Sequence, residues 1–127
     1  MDQRPSDRPL DRHPHWVYDP GDEPDPRFSL ANERTFLAWA RTALAILAGA
    51  VALHSLDVPP TGWLRTVLVV LLVLLAVVCT LMSIIRWARV ERAMRLRQRL
   101  PAFTAGFILS GALVLVGVLI GIALILD

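Results

Sequence analysis

The chain has 127 residues, 55% of them hydrophobic, with a mean hydropathy of +0.54 and a formal net charge of +2. That is a membrane composition, and it excludes an ordinary soluble globular domain, which could not cover so much apolar surface. All of the positive charge is arginine, thirteen residues with no lysine, and it is unevenly placed. Residues 1–27 hold four Arg against seven Asp and Glu, whereas residues 28–127 hold nine Arg against four.

The acidic N-terminal stretch, residues 1–27, contains six of the nine prolines. It cannot bury enough apolar area to offset its ordering entropy, so a disordered or irregular cytoplasmic tail is expected. His13, His15 and Trp16 sit within it, and two histidines without a third ligand define no metal site. Order is expected to begin near Asp25 or Ser29. Asp25 followed by Pro26 fits an N-cap with proline at the first helical position, and Ser29 is a second candidate cap.

Three apolar runs then follow, at about residues 36–56, 64–85 and 102–126. Each is long enough for a helix to cross the roughly 30 Å hydrocarbon core of a bilayer. The predicted fold is all-α: an integral membrane three-helix bundle formed by residues 28–127. The first run follows a long polar segment and reads as an uncleaved span, not a signal peptide. Asp57, Pro59, Pro60 and Gly62 close it off before the second span begins. Trp39, Trp63 and Trp87 are expected as interface anchors.

Residues 86–101 form an arginine-rich connection, with Arg86, Arg89, Arg92, Arg95, Arg97 and Arg99 opposed by Glu91 alone. Helix formers carry the second helix beyond the bilayer until Pro101 interrupts it. Positive charge is retained on the cytoplasmic side, so the N-terminus is expected inside and the C-terminus outside. These six arginines are candidate contacts for anionic lipid or a partner protein. The second span, nearly all Leu and Val, reads as the most lipid-exposed of the three.

The entry of the first span is the most distinctive stretch. Asn32, Glu33, Arg34, Thr35, Arg41 and Thr42 lead from the interface into lipid depth as a candidate conduit lining or buried polar network. Arg34 and Arg41 are seven residues apart, two helical turns, and share a face with Ala38, Ala45, Ala48, Gly49 and Ala52. Small residues allow close helix approach, whereas Phe36, Leu37, Leu44, Leu47 and Val51 lie on the opposite side. The arginines are therefore expected to face protein or a polar cavity, with Glu33 as a counter-charge either across a subunit boundary or to the Arg86–Arg99 segment. In the third span Gly106, Ser110, Gly117 and Gly121 make a second small-residue face, which includes a GxxxG.

The run from Asp25 through Asn32-Glu33-Arg34-Thr35-Phe36-Leu37-Ala38-Trp39-Ala40-Arg41-Thr42 to Ala45 resembles the signature of the YidH-like bacterial inner-membrane family, domain of unknown function 202. The resemblance covers residues ~25–126 and implies a multi-pass protein of the bacterial inner membrane with three spans. The family is similar to the membrane domain of the fungal vacuolar transporter chaperone, where several three-span subunits surround a conduit for polyphosphate. By that resemblance Arg34 and Arg41 would line a conduit in a homo-oligomer, a pentamer by analogy. No polymerase domain is expected here, so polyphosphate synthesis does not carry over.

Two functions compete. One is an oligomeric conduit for an anion, phosphate or polyphosphate included, with arginine rings at its cytoplasmic entry. The other is a non-transporting anchor or adaptor that binds anionic lipid or a partner. No phosphate loop, HExxH, CxxC or Ser/His/Asp set is present, so enzyme chemistry, a metal, a cofactor and a nucleic-acid partner are not expected.

Overall fold

A computed structural model describes residues 12–101 and 104–127. The described chain contains a short helix α1 (His15–Tyr18) and three long ones, α2 (Pro26–Ser55), α3 (Gly62–Arg95) and α4 (Thr104–Leu126). Each long helix is apolar and long enough to cross a membrane. Asp25 caps α2 as its sequence predicts. Its carboxylate accepts the Arg27 N–H at 2.9 Å, and Pro26 occupies the first turn, where a missing N–H costs nothing.

The helix α3 is the centre of the fold. It packs along α2, against α4 and against α1. Of the most apolar stretch of α3, 28% is buried, against 22% for α2 and 6% for α4. This corrects the expectation that the second span is the most lipid-exposed, a role that falls to α4. The reason is a stripe hidden in the Leu/Val run: Leu68, Leu72, Ala76, Cys79 and Ser83 recur at steps of three and four and are buried. Ala43, Ile46 and Ala50 of α2 meet them, and small side chains on both helices let the backbones approach.

Trp39 is part of this contact and not an interface anchor. It is 8% exposed and packs with Ala43 and Cys79, and the Cys79 thiol lies 3.7 Å from its carbonyl oxygen. Trp63, by contrast, is 70% exposed at the start of α3. The connection between α2 and α3 is tied by Arg65, which reaches Asp57 at 3.1 Å and the Pro59 carbonyl at 3.1 Å.

The acidic segment departs most from its sequence reading. Residues 12–25 fold back as a strap over the end of α3, whereas the earlier part of the tail lies outside the described residues. Val17 is completely buried, and the Tyr18 ring meets the Trp87 ring edge-to-face at 6.1 Å. Asp22 N–H donates to the Arg95 carbonyl at 3.1 Å. Gly21 makes this approach possible: its φ is +69°, and a Cβ there would overlap the Arg95 carbonyl oxygen. Gly21→Ala should therefore lift the strap, seen as faster amide exchange over residues 13–25 with the spans unchanged.

The helix α3 stops at Arg95, earlier than its helix-forming sequence predicts. Arg97 takes a positive φ of 52°, and Gln98 N–H bonds back to the Ala93 carbonyl at 2.9 Å, closing the helix.

Candidate functional site

Two polar regions flank the charged end of the bundle, the end that carries Arg86 to Arg99. One is internal and joins α2, α3 and the strap. The other is the exposed arginine face of α2.

The internal cluster centres on Arg95, 3% exposed, and Glu91, 4% exposed. They are four residues apart on α3, and the Arg95 Nε lies 3.7 Å from a Glu91 carboxylate oxygen. Arg95 also donates to the Tyr18 carbonyl at 2.7 Å, approaches Glu23 at 3.3 Å, and lies 5.0 Å from the Tyr18 ring centroid. Ser29 of α2 donates to Glu91 at 3.1 Å. Arg12 bonds both Glu23 oxygens, at 2.8 and 2.6 Å, so a single carboxylate bridges two guanidinium groups. Burying a charge requires this degree of pairing.

This arrangement corrects one sequence expectation. Arg95 is enclosed by protein and is not a lipid or partner contact. Arg89, Arg92, Arg97 and Arg99 remain exposed and Arg86 is half-buried. Arg97 keeps a loose 3.8 Å contact with Asp22.

The bond to Arg12 holds the Glu23 carboxyl below the usual glutamate range. A depressed carboxyl stabilises the fold above its unfolded pKa, and the contribution is lost as pH falls through the lower folded value. Strap docking should thus be intact at neutral pH and weaken below about pH 4. Amide exchange or proteolysis near Tyr18 across pH 3–7 checks this; indifference to pH would contradict it.

The predicted network of Asn32, Glu33, Arg34, Thr35, Arg41 and Thr42 does not assemble as one unit. Asn32 is buried and donates to the Trp87 carbonyl at 3.0 Å, on the α3 side of α2. Thr35 and Thr42 turn back on the carbonyls of Ala31 and Ala38, each at 3.1 Å. Glu33 lines a small groove with Arg12, Glu23, Trp87 and Glu91. The helical phase explains the split: Asn32 and Arg34 differ by about 200° around the helix.

Arg34 and Arg41 lie on the side of α2 turned away from α3, together with Ala38, Ala45, Ala48 and Ala52, all exposed, and the half-buried Gly49. Neither arginine has a hydrogen bond or ion pair among the described residues. Their depth follows from the antiparallel register. Asn32 is level with Trp87, and Trp39 with Cys79, so Arg41 is level with about Val77. That is about 12 Å inside Ile85 at 1.5 Å per residue. Arg34 comes level with Ile85 itself, at the edge of the apolar run.

In α4 Gly106 is buried, and Ser110 donates to its carbonyl at 2.8 Å. A Cβ added at Gly117 or Gly121 would meet nothing within 4 Å, as at Gly49 of α2. The GxxxG glycines therefore pack against nothing among the described residues. Among the described residues no three His, Cys, Asp or Glu side chains gather as metal ligands.

A domain-of-unknown-function model, DUF202, matches residues 27–93, which include α2 and nearly all of α3. The chain belongs to the DUF202 family. Inner membrane protein YidH of Escherichia coli K12 is 46% identical over 101 residues, covering 79% of this chain and 88% of YidH. Uncharacterized protein Rv2272 of Mycobacterium tuberculosis H37Rv is 48% identical over 100 residues, covering 76% of this chain and 80% of the relative. No solved structure matches this DUF202 chain. It is a multi-pass bacterial inner-membrane protein, as the likeness to YidH and its three membrane-capable helices show.

Proposed function

We propose that this DUF202 protein is an oligomeric anion conduit in which copies turn their Arg34/Arg41 faces toward a shared, hydrated axis. The observation that carries this reading is the depth of Arg41. It stands at the level of Val77, exposed on its own chain, with no counter-charge among the described residues. An arginine at the centre of a bilayer costs at least ~2.5–3.5 kcal/mol, and water or a counter-ion offsets that cost. A single three-helix chain is too thin to enclose a pore, so several copies are needed.

The alanines flanking Arg41 favour close approach of helices, and superimposed arginine rings attract anions while repelling cations. The resemblance read from the sequence to the vacuolar transporter chaperone membrane domain supports the same reading, with phosphate or polyphosphate as the candidate cargo and five copies as the candidate stoichiometry. On this reading the arginine-rich end faces the cytoplasm. The adaptor reading draws instead on the exposed Arg89, Arg92, Arg97 and Arg99, and leaves the depth of Arg41 without a purpose.

The test is anion flux into liposomes containing the purified protein. Arg41→Ala should reduce phosphate or polyphosphate flux at least tenfold, whereas Arg99→Ala should leave it near wild type. Equal flux from wild type and Arg41→Ala would overturn the conduit.

A further inference from the structure

The seam between α3 and α4 is polar at the arginine end and wholly apolar over the stretch that follows, from Met82 to Leu71. At the charged end it opens into a cavity of about 440 Å³ whose lining includes Arg86, Arg89 and Thr104 above Met82 and Ile108. Met82 and Ile108 also bound a second cavity of about 280 Å³, which continues down the same seam to Leu71 and Leu115 and exposes no polar surface. From Arg89 to Leu71 is eighteen residues of α3, about 27 Å of helix. The groove is therefore longer than the roughly 20–22 Å depth of one bilayer leaflet, enough for a whole acyl chain, with its charge confined to the mouth.

We propose that this seam binds a membrane lipid with an anionic phosphate headgroup. The headgroup sits between Arg86 and Arg89, and one acyl chain lies along the groove past Met82 and Ile108. Charge complementarity selects the occupant. Guanidinium groups make forked, charge-assisted hydrogen bonds to phosphate oxygens, and Thr104 adds a hydroxyl donor. The apolar shaft below them excludes a small soluble anion as the main ligand, because such an anion uses none of it. The weak burial of α4, which packs mainly against α3 among the described residues, leaves room for a lipid to complete its packing. The proposal does not depend on the conduit: this groove lies on the α4 side of α3, away from Arg41.

The inference also divides the arginine cluster. Arg95 is structural, Arg86 and Arg89 hold the lipid, and Arg97 and Arg99 lie beyond the groove. That division is what an experiment can read. The full chain is placed in phosphatidylcholine vesicles with spin-labelled phosphatidylglycerol or phosphatidylcholine, and the motionally restricted lipid is measured. Wild type should prefer phosphatidylglycerol by about 25-fold, given roughly fivefold for each of the two arginines near an anionic group. Arg86→Gln/Arg89→Gln should reduce the preference to near one. Arg89→Gln alone, at an exposed position that folding does not need, should reduce it partway. Arg97→Gln/Arg99→Gln removes the same charge and should leave it intact. Ile108→Trp should lower restriction of both lipids by filling the shaft.

Equal losses from the two double variants would reduce the effect to general surface charge and overturn the site. So would no preference in wild type, or displacement of phosphatidylglycerol by inorganic phosphate beyond what chloride of equal ionic strength produces. Cross-linking of Ile108→Cys between copies would assign the groove to a second chain and would equally overturn it.

Discussion

Arg41→Leu should make the protein more stable in the membrane and less able to pass anions. On a single chain, Arg41 is a cation about 12 Å inside the apolar run with no partner among the described residues. Replacing it with leucine removes an insertion cost of at least ~2.5 kcal/mol and adds an apolar side chain that lipid accepts. If Arg41 only held the fold together, its loss would destabilise. A conduit residue gives the opposite sign: a higher unfolding midpoint in lipid nanodiscs together with at least a tenfold fall in anion flux. Lower stability with unchanged flux would mean that the arginine is structural. Unchanged stability and flux would place it at the headgroups, its side chain reaching out of the hydrocarbon.

Arg95→Ala should have the largest effect on the fold. Arg95 joins three parts of the chain: Glu91 on its own helix, and the Tyr18 carbonyl and Glu23 on the strap. Removing it leaves Glu91, 4% exposed, with the Ser29 hydroxyl as its one hydrogen-bond partner among the described residues. Stranding one member of a buried ion pair costs about 3–5 kcal/mol. The strap should detach, and amide exchange of residues 13–25 should rise by two orders of magnitude or more. Glu91→Gln in the Arg95→Ala background should recover part of the loss, because it removes the stranded charge. A cost below about 1 kcal/mol, the value of an ordinary surface pair, would show that the cluster is wet and weak.

The spans were legible in the sequence because hydrocarbon thickness fixes a helix length, and three runs met it. The cap at Asp25 was legible because proline at the next position has one favoured use. The central place of α3 was not. Leu and Val carry the same hydropathy in lipid and in protein, so only the small residues Ala76, Cys79 and Ser83 distinguish its packed side, and they are easily read as minor polar interruptions. The strap was masked by its prolines and charges. Its signals were Val17, Tyr18 and Gly21 in sequence, opposite an i, i+4 Glu91–Arg95 pair whose burial the sequence does not reveal, because such pairs are ordinary on exposed helix faces. Trp39 was assigned to the interface by residue type. Its place two residues before Arg41 already put it deeper, where a buried indole packs between helices. The arginine face of α2 was legible as a face, since seven residues are two turns. Which way it turned was not, because that depends on the Asn32, Trp39, Ala43 and Ala50 side that α3 takes.

The central claim is that water reaches the arginine face of α2 at the depth of the acyl chains. Ala45 is one turn beyond Arg41, level with about Val73, near the middle of the α3 apolar run; Leu44 is its neighbour on the bulky side. With Cys79→Ser as background, Ala45→Cys and Leu44→Cys can be treated in intact membranes with a charged, membrane-impermeant thiol reagent. The conduit predicts rapid labelling of Ala45→Cys and little of Leu44→Cys. If Ala45→Cys is as unreactive as Leu44→Cys while a lipid-soluble reagent modifies both, that face lies in lipid and the account is wrong.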